Sequence, residues 1–230
     1  LAYNNIKSKP GNMTPGLRPE TLDGMSSEKI IKISEAIKNE SFKFTPGRRS
    51  WIIKKSGGRR PLTVGSPIDK IVLEAMRIIL EIIFEPLFLE CSHGFRTGKS
   101  CHTALQAIYL KFKSVSWFIE GDFEKCFDSI DHGRLLDIIE AKIKDRQFTK
   151  LIGKSIKSGF FDFTQYYHCV VGIPQGNIIS PILTNIYMHQ FDVFLTKLKK
   201  DFDIGKRAKN TKAYEHGRYQ IKKHKKKMIW

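Results

Sequence analysis

The chain is short of several things, and each shortage excludes something. Its four cysteines (Cys91, Cys101, Cys126 and Cys169) form no C-x-x-C pair and have no histidine partners at zinc spacing. A structural zinc is excluded, and reduced thiols in a reducing compartment are predicted. No long apolar run is present either. The longest candidate, Ile68 to Phe84, is interrupted by Asp69, Lys70, Glu74, Arg77 and Glu81, so nothing can cross a bilayer and a soluble protein with no membrane partner is expected. Neither a signal h-region nor an Arg/Ser-rich presequence occurs. The chain starts at Leu1 and not at Met, which reads as a segment of something longer or a processed product. Acidic residues are scarce, 23 against 40 Lys and Arg, for a net charge of +17. That imbalance points to a polyanionic partner and says nothing about fold.

What is present is enough for a core. With 230 residues and 41% hydrophobic content, one large domain or two small ones are expected, and disorder is excluded. The charge is uneven. From Lys197 to Trp230 there are 13 Lys or Arg and 3 Asp or Glu, so ten of the seventeen net charges lie in the last 34 residues.

Taken in order, residues 1–25 are rich in proline and glycine and read as an ordered loop or extended arm. Ser26 or Ser27 caps a helix to Asn39, with Ile30, Ile33 and Ile37 on one face. From Trp51 to Val64 the period changes to that of a hairpin turning at Ser56-Gly57-Gly58. The hairpin would carry Arg48, Arg49, Lys54, Lys55, Arg59 and Arg60 in one basic flap, either solvated or gripping phosphates. Pro67 opens a strong helix that ends near Pro86 and belongs to the core. The loop Ser92 to Ser100 ends in Gly98-Lys99-Ser100. It is not a P-loop, because His93 stands where the first glycine would be and no strand precedes it. Arg96 and Lys99 in that loop have two readings, structural or in contact with a nucleic-acid backbone.

Val115, Trp117 and Ile119 alternate with Ser116 and Phe118 at strand period and lead into Glu120-Gly-Asp-Phe-Glu-Lys-Cys-Phe-Asp-Ser-Ile-Asp131. Asp122 thus falls at the carboxyl end of a predicted strand, where a carboxylate can hold Mg²⁺ against a phosphate. The competing reading of this turn is a helix cap, for which Asp131 is a good candidate. Two amphipathic helices follow, through Leu135 to Ile143 and Phe148 to Ile156. A strand is predicted over Phe163 to Val171, then the turn Gly172-Ile-Pro-Gln-Gly176, then a long helix with Ser180 as N-cap and Pro181 at its first position.

Two of these motifs, the Asp122 to Asp131 segment with Phe127-Asp128 and Gly172 to Gly176 with Ser180-Pro-Ile-Leu-Thr-Asn185, resemble palm motifs A and B of reverse transcriptases. The Gly-Phe-Arg-x-Gly-Lys-Ser loop, the Lys54 to Leu62 hairpin and Thr21-Leu-Asp-Gly24 narrow the resemblance to group II intron-encoded reverse transcriptases and maturases of the mitochondrial type. It runs from about Lys7 to Asp192.

The resemblance implies a mixed α+β right-hand polymerase fold: fingers over 1–114, an incomplete palm over 115–196, no thumb, and a basic flexible tail or truncated insertion over 197–230. It implies that Asp122 and the Phe123 carbonyl hold Mg²⁺ in a two-metal site. Lys54 and Arg60 would hold the triphosphate of a deoxynucleotide, Phe127 would exclude a 2′-hydroxyl and Gln175 would line the nucleotide pocket. Arg48, Arg49, Arg59, Arg96 and Lys99 are the expected RNA contacts. Intron RNA, a DNA primer or target and a mitochondrial matrix location follow from the same likeness. One departure stands out: no two aspartates are adjacent anywhere in the 230 residues, so the family's Tyr-x-Asp-Asp element is absent and Asp122 alone leaves a two-metal site under-ligated. Three readings stay open: part of an intron reverse transcriptase, an RNA-binding maturase module that does not polymerise, and a structural protein derived from a polymerase.

Overall fold

The computed structural model describes residues 1–9, 11, 13–55, 57–113, 115, 118–202, 210 and 212–227. The chain divides into two units, Leu1–Gln190 and Phe191–Trp230. In the first unit, helix α1 (Ala2–Lys7) and α2 (Ser27–Lys38) precede strands β1 (Gly47–Ile53) and β2 (Arg59–Val64). Then come α3 (Pro67–Phe84), α4 (Cys101–Lys111), α5 (His132–Lys142), α6 (Arg146–Ile156), β3 (Phe160–Asp162), β4 (Gln165–Tyr167) and the start of α7 (Ser180–Phe202). The second unit holds the rest of α7 and α8 (Lys212–Lys227).

Local chemistry accounts for most helix starts. Ser26, Ser66, Ser100, Asp131 and Asp145 each accept a hydrogen bond from a first-turn amide, which satisfies donors that a helix leaves without a carbonyl partner. Pro67 occupies the first turn of α3, where no amide donor is needed. The apolar stripes then meet in one core. Val72, Met76 and Leu80 of α3 pack with Leu135 and Ile139 of α5, Ile152 and Ile156 of α6, and Leu183 and Ile186 of α7. Each such side chain contributes about 2 kcal/mol by leaving water.

A four-stranded sheet of order β2-β1-β3-β4 flanks this core. β1 pairs antiparallel with β2 (Arg49 opposite Thr63, Ile52 opposite Arg60) and parallel with β3 (Gly47 opposite Phe160), and β3 pairs antiparallel with β4.

Four expectations are corrected. The amino-terminal arm begins as a helix, because Tyr3 and Ile6 fall on one face and join Leu22 and Ile71 in a small second core. No strand forms over the described residues 118–123, while Ser116 and Trp117 of that prediction lie outside the described residues. An alternating pattern becomes a strand only beside a partner, and the four strands of the described sheet lie elsewhere. The strand expected over Phe163 to Val171 is a short hairpin instead, turned at Phe163, whose φ is 53°. Ser180 does not cap α7. Its hydroxyl donates to the Pro174 carbonyl at 2.9 Å, and the helical ladder starts from Ile179.

In the second unit the basic segment, expected as a flexible tail or a truncated insertion, is helical over Lys212–Lys227. The apolar residues Phe194, Leu195 and Leu198 of α7 are exposed. Among the described residues no helix is long and apolar enough to cross a membrane.

Candidate nucleotide-binding cleft

The basic hairpin closes tightly. The Lys54 amide donates to the Gly58 carbonyl at 2.7 Å and the Gly57 amide to the Lys54 carbonyl at 3.0 Å. Lys54, Lys55, Arg59 and Arg60 are all exposed. The flap expected to hold six cations together is divided, since successive residues of a strand face opposite ways. The Arg48 guanidinium donates to the carbonyls of Gly16 (3.2 Å) and Pro15 (3.3 Å) and ties down the amino-terminal arm. Arg49 lies over the Phe160 ring at 3.6 Å. Burial lowers the pKa of Arg49 from its ordinary value, against the opposing pull of Cys169, Asp128 and Asp162 nearby.

Asp122 sits in an exposed, irregular segment just before a left-handed turn at Lys125 and a 3₁₀ turn over Cys126–Ser129. Burial raises the pKa of the Cys126 thiol, and the negative charge of Asp122 raises it further. Asp131 caps α5, its carboxylate accepting from the Arg134 amide at 2.8 Å, so the capping role weighed for this stretch falls to Asp131. A single exposed carboxylate suits Mg²⁺, which keeps most of its waters. Among the described residues, however, no group of three His, Cys, Asp or Glu comes together.

The turn Gly172 to Gly176 is held from four directions. The Gly172 amide donates to the Ile130 carbonyl (2.9 Å) and the Ile173 amide to the Phe127 carbonyl (2.7 Å). The buried His132 ring contacts the Gly172 carbonyl through Nε2 at 2.6 Å. On the opposite side the Thr63 amide of β2 donates to the Gln175 carbonyl at 2.7 Å, and Ser180 reaches back from α7. Gly172 has φ 84°, and a Cβ there would lie 2.6 Å from the Asp128 carbonyl oxygen, so only glycine fits. Gly176 has φ 97°, and a Cβ there would meet the Leu62 side chain and lie 3.1 Å from the Thr63 carbonyl oxygen.

These contacts place Gln175 between three elements. Its Oε1 accepts from Arg60 Nε at 3.3 Å, and its Nε2 lies 3.4 Å from both carboxylate oxygens of Asp128. The structure thus brings together Arg60, Gln175, Asp128 and, through its carbonyl, Phe127. A cavity of about 350 Å³ opens beside Gly176, and Leu62, Thr63, Glu74 and Asn177 line it. Thr63 Oγ1 and Asn177 Oδ1 are buried there with no hydrogen-bond partner among the described residues.

The Ser92 to Ser100 loop is arranged differently. Arg96 is 9% exposed and its guanidinium is used inside the protein: Nε and Nη2 meet Glu85 at 2.9 and 2.8 Å, and Nη1 donates to the Leu89 and Ser92 carbonyls at 2.8 Å. Lys99 pairs with Glu90 at 2.9 Å. Sequence reasoning assigns no role to Asp128, Thr63 or His132. Asp128 stands in the Phe127-Asp128 motif, but the contacts of Asp128 and His132 reach partners 47 and 40 residues away, which no local pattern shows.

The basic hairpin, the glycine turn and the carboxylate turn thus meet at Gln175. The family model for reverse transcriptase (RNA-dependent DNA polymerase) matches residues 52–211, and the chain belongs to that family. Several of its relatives are intron-encoded. The chain is 55% identical over 203 residues to the uncharacterized 91 kDa protein in cob intron of Schizosaccharomyces pombe, covering 88% of this chain and 25% of that protein. It is 44% identical over 224 residues to the group II intron-encoded protein LtrA of Lactococcus lactis subsp. cremoris, covering 97% of this chain and 37% of that protein. The chain therefore spans between a quarter and two fifths of the length of these relatives. Among solved structures, a chain of the partial Cas6-RT-Cas1--Cas2 complex shares the fold, with a TM-score of 0.50 at 18% identity over 85% of this chain and 33% of that one. Reverse transcriptases act on nucleic acid and use a divalent metal. The intron-encoded relatives include mitochondrial proteins and a bacterial one.

Proposed function

We propose that this chain is the nucleotide- and template-handling part of a group II intron-encoded RNA-directed DNA polymerase that also binds intron RNA as a maturase. Fingers over 1–114, palm over 115–196 and the basic segment 197–230 are the working division. The observation that carries the reading is the contact of Gln175 with both Arg60 and Asp128, which joins hairpin, glycine turn and carboxylate turn. In this reading Lys54 and Arg60 neutralise the triphosphate, Gln175 lines the pocket and Phe127 lies against the sugar. Charge neutralisation and positioning are most of what phosphoryl chemistry asks of a protein. Asp122 and the Phe123 carbonyl would hold Mg²⁺, which supplies further neutralisation of phosphate charge when bound. Arg59 and Lys99 would contact RNA directly, while Arg48, Arg49 and Arg96 keep the arm, the sheet and the loop in place beneath them. Intron RNA, a DNA primer or target and the mitochondrial matrix complete the proposal.

The sequence contains no Asp-Asp pair, which favours a chain that binds RNA and nucleotide and extends no primer by itself. The test is RNA binding at several salt concentrations, together with primer extension with Mg²⁺ and deoxynucleotides. A steep fall of affinity with salt is expected. Salt-independent binding would overturn the RNA reading. Extension lost on Asp122→Ala would show that these residues hold a complete site.

A further inference from the structure

The turn carrying Gln175 is only as well placed as the contacts beneath it, and one of these is made by a side chain that neither the motifs nor the proposed chemistry uses. His132 is 5% exposed and stands at the first position of α5, directly after the Asp131 cap. Its Nε2 lies 2.6 Å from the Gly172 carbonyl. A carbonyl only accepts, so Nε2 carries the proton. Its Nδ1 is buried with no hydrogen-bond partner among the described residues. The ring's polar contact in this buried place is thus the one to Gly172. A buried imidazole held by a single short hydrogen bond costs desolvation that a leucine of similar bulk would not, so packing alone does not explain it.

We infer that His132 is a positioning residue for the nucleotide pocket, locking the Gly172 to Gly176 turn onto the carboxylate turn so that Gln175 meets Arg60 and Asp128. Besides the contact of Gln175 with Asp128 itself, three hydrogen bonds hold the glycine turn against the carboxylate turn and the helix start that follows it. Two are backbone bonds, from Gly172 to Ile130 and from Ile173 to Phe127, and they fix spacing along one edge. The histidine is the side-chain bond of the set. It takes hold of the Gly172 carbonyl and so sets the tilt of the peptide unit from which the turn departs. Gly172 lies against the Asp128 backbone, so a change in that tilt moves Gln175 relative to the Asp128 carboxylate. The inference rests on the nucleotide reading above for its consequence and on geometry alone for the lock.

The test compares His132→Gln, whose amide nitrogen reaches nearly as far as Nε2, with His132→Asn, whose amide falls short. Amide hydrogen exchange of Gly172 and Ile173 is measured in the full chain, beside binding of a deoxynucleoside triphosphate in the presence of RNA template, DNA primer and Mg²⁺. In the Asn variant, exchange at both amides is expected to speed up about tenfold, nucleotide affinity to fall about tenfold and RNA affinity to stay unchanged, with Gln keeping exchange and nucleotide affinity near wild type. Wild-type exchange at both amides in the Asn variant overturns the lock, as does equal acceleration in Asn and Gln. Faster exchange with unchanged nucleotide affinity overturns the positioning role. Should the wild-type chain bind no nucleotide, the nucleotide reading fails and positioning with it, while the exchange arm still decides whether the lock exists. Where the Asn variant does not fold, the Gln variant decides: wild-type exchange and affinity support the inference, and their loss overturns it.

Discussion

Arg60 and Gln175 are 115 residues apart in sequence and meet at 3.3 Å, the guanidinium of the hairpin donating to the side-chain carbonyl of the glycine turn. The same amide faces the Asp128 carboxylate at 3.4 Å. An arginine so engaged is preorganised over the cleft, and it must exchange the amide oxygen for phosphate oxygens when a nucleotide enters.

Removing either member should therefore weaken nucleotide binding. Arg60→Ala and Gln175→Ala are each expected to lower deoxynucleotide affinity about tenfold, with the double variant losing less than the product. A titration with labelled deoxynucleotide measures it. Fully multiplicative losses would show that the two residues act independently.

Two glycines of nearly equal φ should differ in tolerance. Gly172 (φ 84°) lies against Asp128, whereas Gly57 (φ 85°) has open space where a Cβ would go. Gly57→Ala should cost about 1 kcal/mol from backbone strain alone. Gly172→Ala should cost about 3 kcal/mol or more, because the added carbon meets backbone that cannot move aside. Urea unfolding of both variants provides the comparison.

Asp69 offers a pH signature. It is buried, accepts from the Thr45 amide at 2.9 Å, and burial pushes its pKa from 3.8 up to about 6. The folded protein holds this proton more tightly than the unfolded chain. The resulting stability is full below pH 3.8 and is lost as pH rises through about 6. Asp69→Asn keeps an acceptor for Thr45 and has no proton to lose. Relative to this variant, wild type should lose about 3 kcal/mol between pH 4 and pH 7. Parallel stability curves for the two proteins would contradict it.

The Arg96 side chain should be irreplaceable for stability. A lysine keeps the charge and cannot reach Glu85, Leu89 and Ser92 together, so Arg96→Lys is expected to destabilise by about 2–3 kcal/mol in denaturant unfolding. RNA affinity of the folded variant, measured beside it, separates loop architecture from direct contact.

Much of the fold is legible in the residues themselves. The serine and aspartate caps, Pro67 at the start of α3 and the hairpin glycines act over a few residues, and the helices and the hairpin form where these signals predict them. The motifs around Asp122 and Gly172 point to the family to which the chain belongs. The strand expected before Asp122 does not form, since alternation reports a pattern of faces and not the presence of a neighbouring strand. Ser180 has the residue type and position of a cap, yet its hydroxyl goes to Pro174, which becomes its neighbour only when the turn folds back.

Sequence by itself determined most of the helices, the basic hairpin, the family and the excess of positive charge, all properties of short stretches or of composition. Only the tertiary structure decided how the cations are used: Arg48 on the arm, Arg49 on Phe160, Arg96 inside its loop, Arg60 at Gln175. It alone decided that His132 holds Gly172. The reason is physical. A guanidinium or an imidazole has the same local propensity whether it faces water, a carbonyl or a ring, and the partner is chosen when distant segments close the core.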